Sequence, residues 1–100
     1  MKNMRIEGRK WFDKVNGNTY HSARVYVDGV LVATCPFQYG YGDQYVWSGW
    51  EAVIKTLNLD VKQYSNGSQD PAWQWCRDNG VAFTYDAVNV LKRDCKAFGQ

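Results

Sequence analysis

The sequence lacks most of the features that identify a catalytic, metal-binding or membrane protein. It has one histidine, His21, so a serine or cysteine nucleophile would have a single candidate imidazole base. Its cysteines, Cys35, Cys76 and Cys95, are far apart, whereas structural zinc sites use closely spaced pairs. No apolar run is long enough to span a bilayer, and the basic N-terminus has no apolar signal-peptide segment. We therefore expect a non-enzymatic cytoplasmic protein with free thiols, no metal and no cofactor.

A strong charge of either sign is also missing. The formal net charge is +2, which disfavours an acidic DNA mimic. Residues 1–14 are the exception, because five basic and two acidic side chains give them a charge of +3. This basic strand could meet an acidic partner or a phosphate backbone, or remain solvated at the edge of a sheet.

Aromatic residues, in contrast, are abundant. The chain has five Trp and seven Tyr among 100 residues, a length that predicts a single domain over 1–100. A core of this size cannot bury all of them, so some aromatic rings are expected at the surface, where they can serve contacts.

The first half of the chain has the pattern of three strands. Residues 4–12 and 20–27 are rich in β-formers, with the turn signal Asn16-Gly17 between them. Asp28-Gly29 predicts a two-residue hairpin turn into a third strand that Pro36 ends. The turn sets a register in which Val27 faces Val30, Val25 faces Val32 and Ala23 faces Thr34.

Helical signals follow these strands. Val46, Trp50, Val53 and Leu57 recur at helical spacing, and Asp43 is preferred to Ser48 as the N-cap. After a loop over residues 60–69, Asp70-Pro71 predicts a short helix over 71–79. The tail predicts a fourth strand, best defined over 87–94. The order β-β-β-α-α-β favours an α+β fold, with an antiparallel sheet and two helices packed on one face.

The segment PFQYGYGDQY, residues 36–45, is the strongest candidate for recognition, and we call it the tyrosine segment. Its glycines permit a sharp turn, but they do not explain three tyrosines in seven residues. Tyrosines offer rigid contact area at low entropic cost, although a packed structural loop is the alternative. Phe37 and Trp47 are expected to point inward. The predicted contact residues are Tyr39, Tyr41, Asp43, Gln44 and Tyr45, with Arg24 and Tyr26 from the hairpin.

Nucleic-acid binding is the second hypothesis. Trp11, Tyr20 and Tyr26, with nearby arginines, could stack bases and hold phosphates on an open sheet. The sequence has no RNA-recognition aromatic motif, no GXXG loop and no helix-turn-helix pattern. A homo-oligomer paired through an exposed strand edge is a third possibility.

The strings RKWFDKVNGNTYHSARVYVDG and PFQYGYGDQY resemble a family of small accessory proteins from bacteriophages and prophages. The likeness covers about residues 5–58, and its most specific parts are GNTYHS and YGYGDQY. It implies a viral protein of the host bacterial cytoplasm that inhibits a host protein by direct contact. Host defences such as CRISPR are typical targets of small phage proteins, so an anti-CRISPR role is the specific form of this expectation.

Overall fold

A computed structural model describes residues 1–61 and 70–100. The elements in chain order are β1 (Asn3–Asp13), β2 (Asn18–Val27), β3 (Val30–Tyr39), α1 (Gln44–Leu57), α2 (Pro71–Asp78), β4 (Ala82–Asn89) and α3 (Lys92–Phe98). The loop expected over 60–69 falls mainly on residues 62–69, outside the described residues. None of the described helices is long and apolar enough to cross a membrane.

The four strands form one sheet in the order β3-β2-β1-β4. The α+β class is confirmed, and the predicted element order holds with one additional helix at the end. The sheet is mixed, however, because β4 pairs with β1 in parallel while the other pairs are antiparallel. The expectation of a fully antiparallel sheet was wrong because the chain crosses over through α1 and α2 before β4.

The hairpin between β2 and β3 forms at the predicted turn. Asp28 and Gly29 both have positive φ, 52° and 81°, as a two-residue turn of this kind requires. The Asp28 carboxylate accepts hydrogen bonds from the backbone N–H groups of Lys2 and Asn3, at 2.7 and 2.9 Å. These bonds tie the turn to the start of β1 and lower the pKa of Asp28.

Two irregularities in β3 change the register after the turn. Val27 pairs with Val30 as predicted, but an extra residue near Val32 shifts the pairs that follow. The expected pairs Val25–Val32 and Ala23–Thr34 are replaced by Val25–Ala33 and Ala23–Cys35. Pro36 does not end the strand, because β3 lies at the sheet edge and a second irregularity accommodates the proline.

One face of the sheet, the α1 face, carries the hydrophobic core. Ile6 and Val25 are fully buried there against Val53 of α1. Gly49 is the contact point of the helix, since a Cβ there would lie 2.8 Å from Cγ2 of Ile6. Trp75 of α2 joins the same core, which confirms two helices on one face.

The opposite face, the α3 face, is covered in part by the unpredicted helix α3. The strand expected over 87–94 ends at Asn89, and α3 begins at Lys92. Cys95 is fully buried against the sheet, and the Ser22 hydroxyl donates to its carbonyl oxygen. The Phe98 ring lies under the guanidinium groups of both Arg9 and Arg24, at 4.1 and 4.3 Å.

The three cysteines are free and buried, which confirms the expected thiols. Burial raises the pKa of both Cys35 and Cys76 to about 11. Burial also raises the pKa of Cys95, and the hydrogen bonds with Ser22, which lower that pKa, have a smaller effect. At neutral pH these thiols therefore stay protonated and act as small apolar core groups.

Candidate functional site

The tyrosine segment leaves β3 at Tyr39 and enters α1 at Gln44 through residues 40–43. Gly42 has a φ of 59°, which favours glycine, and the Gln44 N–H donates to the Tyr41 carbonyl at 3.2 Å. Asp43 occupies the predicted N-cap position, but its side chain makes no capping hydrogen bond. Its carboxylate is therefore exposed beside the helix start rather than used in the helix.

Gly40 allows the connection to pass directly over His21. A Cβ at Gly40 would lie 2.6 Å from Cε1 of His21 and 2.5 Å from the side-chain oxygen of Gln44. Because both atoms are closer than a real contact permits, any larger residue would displace the segment. Gly40 is thus required by close approach and not by its φ.

His21 is buried and bridges two elements. Its Nδ1 lies 3.2 Å from the Gly40 carbonyl oxygen, and its Nε2 lies 2.8 Å from the Ser48 hydroxyl. Because a carbonyl can only accept, Nδ1 carries the proton and Nε2 accepts from Ser48. Burial lowers the pKa of His21, with a smaller effect from Lys10, while the Gly40 bond opposes them. The imidazole is therefore neutral at pH 7.

The His21–Ser48 pair resembles a serine nucleophile with its base, but it lacks the surroundings that this chemistry needs. Ser48 lies inside α1, where the neighbouring backbone N–H groups are bonded within the helix. They are not free to stabilise an oxyanion beside the hydroxyl. The pair therefore holds the tyrosine segment against α1.

Three large aromatic side chains remain exposed around this fixed segment. Tyr39 is 58% exposed, Tyr41 61% and Trp47 45%. The expectation that Trp47 points inward was wrong, because Gly49 and Trp50, not Trp47, face the sheet. Tyr39 and Tyr41 were correctly placed as accessible rings.

An open groove of about 410 Å³ lies between β3 and α1, and we call it the Tyr39–Trp47 groove. It is lined by His21, Gln38, Tyr39, Gln44, Trp47, Ser48 and Glu51. A second depression of about 240 Å³ shares Gln38, Ser48 and Glu51, so the groove continues along α1 towards Lys55. Of its lining residues, sequence reasoning had assigned only Tyr39 and Gln44 to contact.

Tyr45 does not belong to the exposed surface. It is 3% exposed, and its ring packs on Gly8 and meets Tyr85 at 6.5 Å between centroids. Burial raises the pKa of Tyr45 to about 12, helped by the nearby Asp43 and Asp86 carboxylates. Tyr45 thus belongs to the core, which corrects its expected place among the contact residues.

Arg24 and Tyr26 lie on the α3 face, away from the groove on the α1 face. Arg24 donates from Nε to the Phe98 carbonyl oxygen at 2.9 Å, so it is engaged in holding α3. Tyr26 is half-buried and pairs with Arg5 of β1. The structure therefore does not bring these two residues together with the tyrosine segment.

The α3 face carries a second cluster, the aromatic strip, made of Trp11, Tyr20, Phe37 and Tyr39. Tyr20 and Phe37 are stacked at 5.1 Å, and Trp11 lies 5.6 Å from Tyr20. Lys92 reaches over Trp11 at 5.1 Å and Lys96 over Phe37 at 5.5 Å. Sequence reasoning missed these lysines because it did not predict helix α3, which carries both.

Comparisons with known proteins add no further assignment. No family model, curated protein or solved structure matches this chain. Across residues 1–61 and 70–100, no three His, Cys, Asp or Glu side chains are grouped so that they could hold a metal ion. The geometry of the Tyr39–Trp47 groove is therefore the basis for a functional assignment.

Proposed function

We propose that this protein binds a partner protein through Tyr39, Tyr41 and the Tyr39–Trp47 groove, and that it acts by contact rather than by catalysis. The observation that carries the proposal is the exposure of Tyr39, Tyr41 and Trp47 beside an open groove. Aromatic side chains in such positions lose a large apolar area to a partner and are typical anchors of protein interfaces.

The anchors are held in place before any partner arrives. His21 fixes the segment through Gly40 and Ser48, and Tyr39 meets Tyr20 edge-on at 5.9 Å. A surface that is already ordered loses less conformational entropy on binding, which favours affinity. Asp43 and Gln44, both exposed, supply polar groups that can orient the partner.

The resemblance to phage accessory proteins suggests which partner to seek. A viral protein of this kind would inhibit a host protein, and bacterial defence proteins such as CRISPR effectors are the first class to test. This part of the proposal rests on the resemblance, whereas the contact surface rests on the geometry.

Affinity capture from a bacterial lysate treated with nuclease tests the proposal. The unsubstituted chain and Trp73→Ala should retain the same protein, because Trp73 is exposed on α2 and outside the groove. The double variant Tyr39→Ala/Tyr41→Ala should lose it. Equal retention by the double variant would reject this surface, and retention that disappears with nuclease would reject a protein partner.

The aromatic strip favours a second candidate, binding of single-stranded nucleic acid. Its rings and the ammonium groups of Lys92 and Lys96 are the groups that stack bases and meet phosphates. If this is right, a labelled oligonucleotide binds at low salt, and Lys92→Ala/Lys96→Ala reduces the salt slope by about 1.4. No change in fluorescence anisotropy at low salt would remove this candidate.

A further inference from the structure

The Tyr39–Trp47 groove lies beside an edge strand of the sheet. β3 is the outermost strand on its side of the sheet, and its residues Gln38 and Tyr39 form one wall of the groove. The other wall comes from α1, through Gln44, Trp47, Ser48 and Glu51. An extended segment laid along such a strand edge can use backbone hydrogen bonds and place side chains in the adjoining groove.

The polar groups of the groove are mostly hydrogen-bond acceptors or can act as such. Gln38 and Gln44 each offer an amide oxygen, Ser48 offers a hydroxyl oxygen and Glu51 offers a carboxylate. Glu51 is exposed, and no salt bridge holds it among the residues that the structure describes. The groove is therefore suited to a ligand rich in donors.

The charge around Trp47 has one sign. On its far side, a smaller cavity of about 140 Å³ is lined by Asp43 and Asp70 together with Val46 and Tyr85. Neither this cavity nor the groove itself has a lysine or arginine among its described lining residues, and Lys55 lines only the adjoining depression. Three carboxylates thus border the two cavities beside Trp47, and they attract a positive charge.

The aromatic walls point to the same kind of ligand. Trp47 lines the groove, and an aromatic face attracts cations through the ring quadrupole. Tyr39 borders the groove at the end of β3, while its ring packs edge-on against Tyr20 on the α3 face. A planar guanidinium stacks on such rings and also donates to several acceptors at once, which the compact ammonium of lysine does less well.

We propose that the Tyr39–Trp47 groove binds an arginine side chain presented by an extended segment of the partner protein. The guanidinium lies against Trp47 and pairs with Glu51, while the backbone of the segment runs along β3. This assignment names the chemistry of the partner and rests on the proposed function.

Peptide titrations of the uniformly ¹⁵N-labelled full chain test it by NMR. The probe is the tripeptide acetyl-Gly-Arg-Gly-amide, and the matched control peptide replaces arginine by citrulline, which keeps the shape but removes the charge. We expect shifts at the Trp47 indole and the Gln38 and Gln44 side-chain amides, with about tenfold tighter binding of the arginine peptide. Binding of the two peptides with equal affinity would overturn the assignment.

Two variants test whether the Glu51 carboxylate is the group that pairs with the guanidinium. Glu51→Gln should abolish the preference for arginine over citrulline, because it removes the carboxylate in the groove. Asp94→Asn makes the same change of charge on α3 and should keep the preference. A preference that survives in Glu51→Gln would overturn the role of Glu51, and circular dichroism melting confirms that both variants are folded.

The outcomes separate this assignment from the proposed function. If Tyr39→Ala/Tyr41→Ala loses the captured protein but the groove shows no arginine preference, the contact surface stands and the arginine ligand is rejected. If the groove prefers arginine but no protein is captured, the site stands and the proposed function is rejected.

Discussion

His21 is the residue that fixes the geometry of the candidate surface. It joins the Gly40 carbonyl to the Ser48 hydroxyl and therefore couples β2, the tyrosine segment and α1. A buried donor or acceptor left unpaired costs about 1–3 kcal/mol, so replacement of His21 would weaken the attachment of the tyrosine segment to both β2 and α1.

We predict that His21 titrates below the ordinary histidine pKa of about 6.5. Burial is the main cause, since the charged imidazolium loses solvation. Below about pH 6.5 the unfolded chain takes up a proton that the native chain does not, so stability decreases as pH falls towards the native pKa. The contribution of neutral His21 to the free energy of unfolding is fully present above the pKa that His21 has in the unfolded chain.

The measurement is the pH dependence of the His21 Cε1–H resonance, which needs no assignment because the chain has one histidine. The same resonance in denaturant, where the pKa should be close to 6.5, is the control. A native midpoint equal to or above the denatured one would contradict the described burial.

Among the elements, β1 and α1 are in tight contact where Gly8 meets Tyr45. A Cβ built on Gly8 would lie 2.5 Å from Cδ2 of the Tyr45 ring. The tyrosine ring therefore fills the space that a side chain on β1 would occupy. This contact explains why Tyr45, alone among the tyrosines at residues 39–45, is buried.

We predict that Gly8→Ala destabilises the protein by about 1–3 kcal/mol, as overpacking of a tight contact does. Without the clash, alanine in a strand would stabilise by about 0.5–1 kcal/mol relative to glycine, so the sign of the change is informative. Chemical denaturation measures it. The loss should shrink in a Tyr45→Leu background, and unchanged or higher stability of Gly8→Ala would refute the packing.

Local sequence patterns predicted the elements that depend on local physics. The Asp28-Gly29 turn, the helix from Gln44 and the Asp70-Pro71 helix start all formed as expected, because turn and cap residues act on their neighbours. At Asp70 the carboxylate accepts from the Trp73 N–H at 3.3 Å. These features require no knowledge of the rest of the chain.

The missed elements depend on distant partners. The parallel pairing of β4 with β1 and the shifts near Val32 and Pro36 are set by the sheet as a whole. Helix α3 did leave a signal, since Leu91, Cys95 and Phe98 recur at helical spacing. The β-branched residues at 88 and 90 concealed that signal by extending the strand pattern.

In the whole molecule, the two candidate surfaces lie on opposite faces of the sheet and share Tyr39 at the end of β3. The Tyr39–Trp47 groove opens beside α1, whereas the aromatic strip with Lys92 and Lys96 lies beside α3. Sequence reasoning found the exposed Tyr39 and Tyr41 from the close spacing of tyrosines and glycines in residues 36–45. It could not find the groove, because Gln38, Trp47 and Glu51 meet only after α1 packs across β3.

The affinity of the captured partner for Tyr41→Ala is the most direct test of this account. Tyr41 is the most exposed of the tyrosines at residues 39–45, so its truncation should leave the melting temperature unchanged. Calorimetric titration should show binding weakened by about 2 kcal/mol, or about 30-fold, while Trp73→Ala binds like the unsubstituted chain. If Tyr41→Ala binds the partner as tightly as the unsubstituted chain does, the tyrosine segment is not the anchor and the account is wrong.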